Sequence, residues 1–100
     1  MVTVTERARV TLARLKDAAH VNDVNAGLRL SLVAGYGELG LQVDQVQPGD
    51  QVVEHAGTAV LLVDERIADA LADAMIDIQP TAQGDALVLR PRGDESKNER

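Results

Sequence analysis

The first twenty residues carry apolar positions at a helical period. Ala8, Leu12, Leu15 and Ala19 fall at i, i+4, i+7 and i+11, one face of a helix. A short strand in "VTV" precedes it. Thr3 with Glu6 makes a capping box and Thr5 is an equally good N-cap, so the start is open between the two threonines. Arg7/Arg14 and Arg9/Lys16 stand a heptad apart and flank the apolar stripe on its two sides. They read as long side chains bordering a core helix with their charged heads in water, in preference to a basic docking face. Asp23, Asn25 and Gly27 then mark a loop.

From Leu28 the period changes to two. Leu28, Leu30 and Leu32 alternate with Arg29 and Ser31, and Leu39, Leu41 and Val43 alternate with Gly40 and Gln42. Two alternating runs around a glycine-rich connection predict a pair of strands. Pro48-Gly49-Asp50 is a turn signal, and "QVVEHAGTAVLLV" predicts a β-hairpin with Ala56-Gly57 at its tip. Asp64 is an N-cap for "ERIADALADAM", where Ile67, Leu71 and Ala74/Met75 form a helical stripe. "IDIQ" then reads as a short strand, Pro80 to Asp85 as a loop, and "ALVLRP" as a final strand. The order helix, strands, helix, strands predicts one α+β domain over residues 1–91, and "RGDESKNER", with no apolar residue, predicts a charged, disordered tail over 92–100.

Composition narrows the chemistry. One hundred residues with 45% hydrophobic side chains suffice for one core, packed from Ala, Val and Leu because Phe and Trp are absent and Tyr36 is the sole aromatic. A net charge of −6 with no basic stripe argues against nucleic acid as a partner. With no cysteine in the chain, disulfides, thiolate catalysis and thiolate-held metals are excluded. No uncharged run approaches a membrane span of about 18 residues, and the first ten residues are charged, so the expectation is a cytoplasmic protein without a membrane partner.

The most suggestive motif is Gly35-Tyr36-Gly37-Glu38-Leu39-Gly40, a literal G-x-G-x-x-G behind an apolar run. A dinucleotide site needs that turn to open into a helix whose N-terminus holds the pyrophosphate. Here "LQVDQVQPGDQ" follows, alternating at period two and breaking at Pro48, so the match is read as a turn between strands. His20, His55 and Tyr36 would have to converge to hold a metal, and adjacent Glu54 and His55 face opposite sides of a strand, so no metal site is expected. Ser31 and Ser96 lack the elbow of a hydrolase nucleophile. Asp69, Asp73 and Asp77 recur at i, i+4 and i+8, which reads as a solvated helix face, with Asp77 close to or beyond the helix end.

From Gly27 onward the chain resembles the HesB/IscA-like domains, the A-type iron–sulphur cluster carriers. Gly27-Leu28-Arg29-Leu30 matches the family's G-L-R-L strand; Val63-Asp64, Leu71 and Ile76-Asp77-Ile78 keep its spacing; and Pro91 stands at its N-P position. The resemblance covers about residues 2 to 91. It implies a compact α+β domain of curved, mostly antiparallel strands in a sandwich-like arrangement, with an N-terminal helix and a second short helix. Where the family has S-G-C-S-G this chain has "AGYGELG", with Gly37 or Tyr36 at the cysteine position, and the family's closing C-G-C has no counterpart in "RGDESKNER". All three cluster ligands are therefore missing, and no cofactor is expected.

Two functions remain open. The first is a non-catalytic, cysteine-less A-type domain serving as an accessory or protein-interaction module, with cluster-assembly components or clients as partners, existing as a monomer or weak homodimer. The second is a small-molecule, anion or metal-ion binding protein that uses the loop of Gly35, Tyr36, Gly37 and Gly40. An enzyme ranks behind both, since no acid, base and nucleophile constellation is present.

Overall fold

In a computed structural model, residues 2–33 and 38–91 are described, and they form two helices and seven strands. Strand β1 (Thr3–Val4) leads into helix α1 (Glu6–Ala18). Thr5 is the N-cap: its hydroxyl accepts from the Ala8 N–H at 3.2 Å, so the later threonine opens the helix. Ala8 and Leu12 are fully buried, but Leu15 is 43% exposed and the C-cap Ala19 is exposed. The buried stripe instead runs on to Lys16, which is 4% exposed. Its ammonium donates to the carbonyls of Asp23 (2.9 Å) and Ala59 (2.8 Å) and to the Thr58 hydroxyl (2.9 Å). Three donors meet three acceptors, so this lysine is a buried strut and no bordering side chain with its head in water.

Strands β2 (Ala26–Val33) and β3 (Glu38–Gln45) pair antiparallel in unbroken register from Ala26↔Gln45 to Val33↔Glu38. Strands β4 (Gln51–His55) and β5 (Thr58–Val63) form the second hairpin, with Ala56 and Gly57 at positive φ in its tip, as a two-residue type I′ turn requires. Parallel pairing of β2 with β5 joins the hairpins into a four-stranded sheet of order β3-β2-β5-β4. Gly27, expected in a loop, lies inside β2. A Cβ there would come within 3.3 Å of the Val60 carbonyl carbon and 3.5 Å of the Ala59 backbone, so glycine admits the close approach of β5.

Asp64 caps helix α2 (Glu65–Ala70) by accepting from the Ile67 N–H at 3.0 Å. The helix is shorter than its apolar stripe implied, because Ala74 and Met75 belong to β6 (Ala74–Thr81). That strand pairs with β7 (Gly84–Pro91) from Ala74↔Pro91 to Thr81↔Gly84, and eight ladder pairs outweigh the helical preference of two residues. The expected loop from Pro80 to Asp85 shrinks to residues 82–83, with Gly84 at φ +111. Strand β1 adds to β6 in parallel, giving a three-stranded sheet of order β1-β6-β7.

Both sheets and α1 share one core, in which Leu12, Leu30, Leu61 and Ile76 are almost wholly enclosed. This is the α+β class expected, with antiparallel pairs predominating. At one seam Gln51 clips the sheets together: its Oε1 accepts from the Val2 N–H (2.9 Å) and its Nε2 donates to the Val2 carbonyl (2.8 Å). No helix among the described residues is long and apolar enough to cross a membrane.

Candidate functional site

The glycine-rich segment connects β2 to β3. Gly35, Tyr36 and Gly37 lie outside the described residues, and Gly40 falls within β3, opposite Ser31. A strand follows this connection where a dinucleotide fingerprint demands a helix, so the phosphate-binding geometry is missing. A Cβ on Gly40 would sit 2.8 Å from the Ser31 hydroxyl oxygen, which a rotation of that side chain relieves.

Beside this hairpin the two sheets part. Leu39 and Leu41 of β3, Leu15 of α1, Ile78 of β6, and Leu87 and Leu89 of β7 line an open groove of about 640 Å³. Among its described lining residues Asp85 is the single charged one. With no basic side chain among those described lining residues, they suit apolar surface and disfavour an anion.

The two candidate histidine ligands do not meet. His55, at the end of β4, places Nδ1 3.9 Å from Glu6 Oε2 in the first turn of α1. His20 lies just beyond the other end of that 13-residue helix, at positive φ and exposed, which separates the imidazoles by roughly 20 Å at 1.5 Å per residue. Among the described residues no three of His, Cys, Asp and Glu are grouped to hold a metal. The acids Asp69, Asp73 and Asp77 are divided between α2, a turn and β6, so the helical face proposed for them does not exist.

Sequence reasoning missed the buried charges. Asp77 is 4% exposed. Its carboxylate accepts from Arg7 Nε (2.7 Å) and Nη2 (2.8 Å), from the Thr5 hydroxyl (2.8 Å) and from the Ile78 N–H (2.8 Å), while Arg90 Nε lies 3.4 Å away. The Arg7 hydrogen bonds hold the Asp77 carboxyl well below the usual carboxylate range, against the opposing effect of burial. A second cluster centres on Arg29. It donates to Asp44 Oδ2 (2.6 Å), to both oxygens of Asp50 (2.9 and 2.7 Å) and to the Gln45 carbonyl (3.2 Å). Arg29 pulls both carboxyls down, and is itself raised chiefly by the Asp50 bonds. The one available signal was a charge inside an apolar strand, Arg29 in "LRL" and Asp77 in "IDI".

These clusters explain why particular residues carry the family resemblance. Gly27 admits β5, Leu28 and Leu30 fill the core, Arg29 ties the Gly49 turn to β3, Asp64 caps α2, and Asp77 anchors α1. Every one is scaffold. The residues present do not fit an iron–sulphur cluster, because the chain supplies no thiolate and the imidazoles stand at opposite ends of α1.

No family model and no curated protein matches the chain. Solved structures do. IscA with a 2Fe–2S cluster superposes with a TM-score of 0.64 at 17% identity, over 91% of this chain and 85% of that one. A protein from Aquifex aeolicus, solved in solution, gives 0.64 at 22% identity over 89% of each chain. Escherichia coli SufA, involved in iron–sulphur cluster biosynthesis, gives 0.59 at 21% identity over 91% of this chain and 85% of that one. The protein therefore has the fold of the A-type carriers IscA and SufA, built from a chain that contains no cysteine.

Proposed function

We propose that the protein is a non-catalytic accessory or protein-interaction module of iron–sulphur cluster assembly, which does not hold a cluster through thiolates. One observation carries this reading: about nine-tenths of the chain superposes on cluster-associated proteins, yet what it shares with their family is scaffold and what it lacks is ligand. A scaffold without thiolates can still present a surface to a partner, and the groove beside β3 offers one whose described lining is mostly apolar. Cytoplasmic cluster-assembly components and their apo-clients are the partners this reading names.

Titration calorimetry of the protein against purified assembly scaffold and apo-client proteins tests it. Saturable binding that weakens when Leu39 and Leu41 are changed to Ser supports the module. Heat-free titrations against the whole set would remove it. The alternative, an anion or small-molecule site at residues 35–40, gains no support from the groove that Leu39 lines, whose described lining is apolar apart from Thr11 and Asp85.

A further inference from the structure

Strand β7 is a sheet edge whose outward backbone groups border the groove. The Thr5 N–H donates to the Ile76 carbonyl at 3.0 Å, so Ile76 turns its backbone groups to β1. Its neighbours Met75 and Asp77 turn theirs the other way, to Arg90 and Val88 of β7. By the same alternation Asp85, Leu87 and Leu89 direct their N–H and C=O groups away from β6, where no described group meets them. Charge on this strand stands at Asp85 and Arg90, and Ala86 to Leu89 run between them without lysine, proline or bulge. An edge of this kind is a template for strand pairing.

The groove decides what kind of partner fits. Successive residues from Asp85 to Leu89 line it, together with Leu15, Leu39 and Leu41. Leu15 is 43% exposed, and Leu87 and Leu89 are half-buried. A helix or a small apolar molecule laid here would strip water from the Leu87 and Leu89 backbone and return no hydrogen bond. An extended segment replaces that water with ladder bonds, while its alternate side chains reach the leucines. Asp85, exposed on a chain of net charge −6, favours a Lys or Arg at that end. The chain's own "RGDESKNER" has no apolar side chain to place in the groove.

We propose that β7 takes an extended segment of a partner protein as an added strand, with apolar residues at alternate positions over Leu41, Leu87 and Leu89 and a basic residue at Asp85. The inference rests on the reading of this groove as a partner surface. It is independent of whether that partner belongs to cluster assembly.

Selection from a displayed library of short random peptides against the full chain tests it, together with amide hydrogen exchange. Enriched peptides should alternate apolar and polar residues, carry a Lys or Arg, and slow exchange at the Leu87 and Leu89 amides. N-methylation of such a peptide at every second residue should abolish binding in one frame and spare it in the other, a pattern that side-chain burial alone does not produce. Leu89→Pro removes an outward N–H, spares the β6 ladder, and should weaken binding about tenfold or more. Asp85→Lys, at an exposed position, should weaken the basic peptides if the proline variant misfolds. The absence of any enriched peptide would overturn the proposal, as would binding indifferent to the N-methylation frame. So would Leu87 and Leu89 amides already protected in the chain alone, by its own residues at every dilution or by a second copy at high concentration. Peptide binding alongside heat-free titrations of the assembly proteins would remove the proposed function and leave this inference standing.

Discussion

Asp77 shows how much of this fold rests on single polar contacts. Its carboxylate joins the cap of α1, Arg7 of its first turn and the backbone of β6. Asp77→Asn should lose about 1–3 kcal/mol, the range for breaking a charged hydrogen bond at a buried acceptor. Because the folded carboxyl titrates below its unfolded value near pH 4, its stabilisation is complete at neutral pH and disappears as acid approaches the folded value. Asp44 and Asp50, also lowered by Arg29, act in the same direction. Urea unfolding from neutral to acid pH should show stability falling below about pH 4, with a shallower fall in Asp77→Asn. Lys16→Met keeps the volume but strands the Asp23 and Ala59 carbonyls, and should lower stability by about 1–3 kcal/mol in the same assay.

At the scale of elements, the glycines separate motif from structure. Gly27→Ala presses a methyl group against β5 backbone that cannot rotate away, and should cost about 1–3 kcal/mol. Gly40→Ala meets a serine hydroxyl that can rotate, and should cost less than about 1 kcal/mol, leaving thermal melting almost unchanged. Of these two glycines, the one that the fold leans on stands outside the G-x-G-x-x-G pattern. Gln51→Ala should free the Val2 amide to exchange rapidly while the β2–β3 ladder stays protected, since only the seam between sheets is opened.

Elements with local signals were legible in the sequence. The period-two runs marked β2 and β3, Ala56-Gly57 marked a hairpin tip, and Asp64 marked a helix start. What stayed hidden depends on residues far apart in the chain. Lys16 completes an apolar face only because Thr58 and Ala59 supply acceptors some forty positions away. Ala74 and Met75 leave their helical stripe because β7 offers a ladder. The candidate site was legible mainly through what it lacks, for the missing cysteines could be read directly while the groove between α1, β3 and β7 could not.

Across the whole molecule, scaffold and chemistry have parted. Glycine, arginine and aspartate at the resemblance positions each hold an element in place, and the fold of IscA and SufA results. The thiolates that would hold an iron–sulphur cluster are absent from the same chain. Anaerobic reconstitution with ferrous iron and sulphide, followed by desalting, visible spectroscopy and iron and acid-labile sulphide assay, tests this division most directly. A colourless protein is expected, with neither element retained in proportion to the chain. A stable product with charge-transfer absorption and stoichiometric iron and sulphide would contradict it.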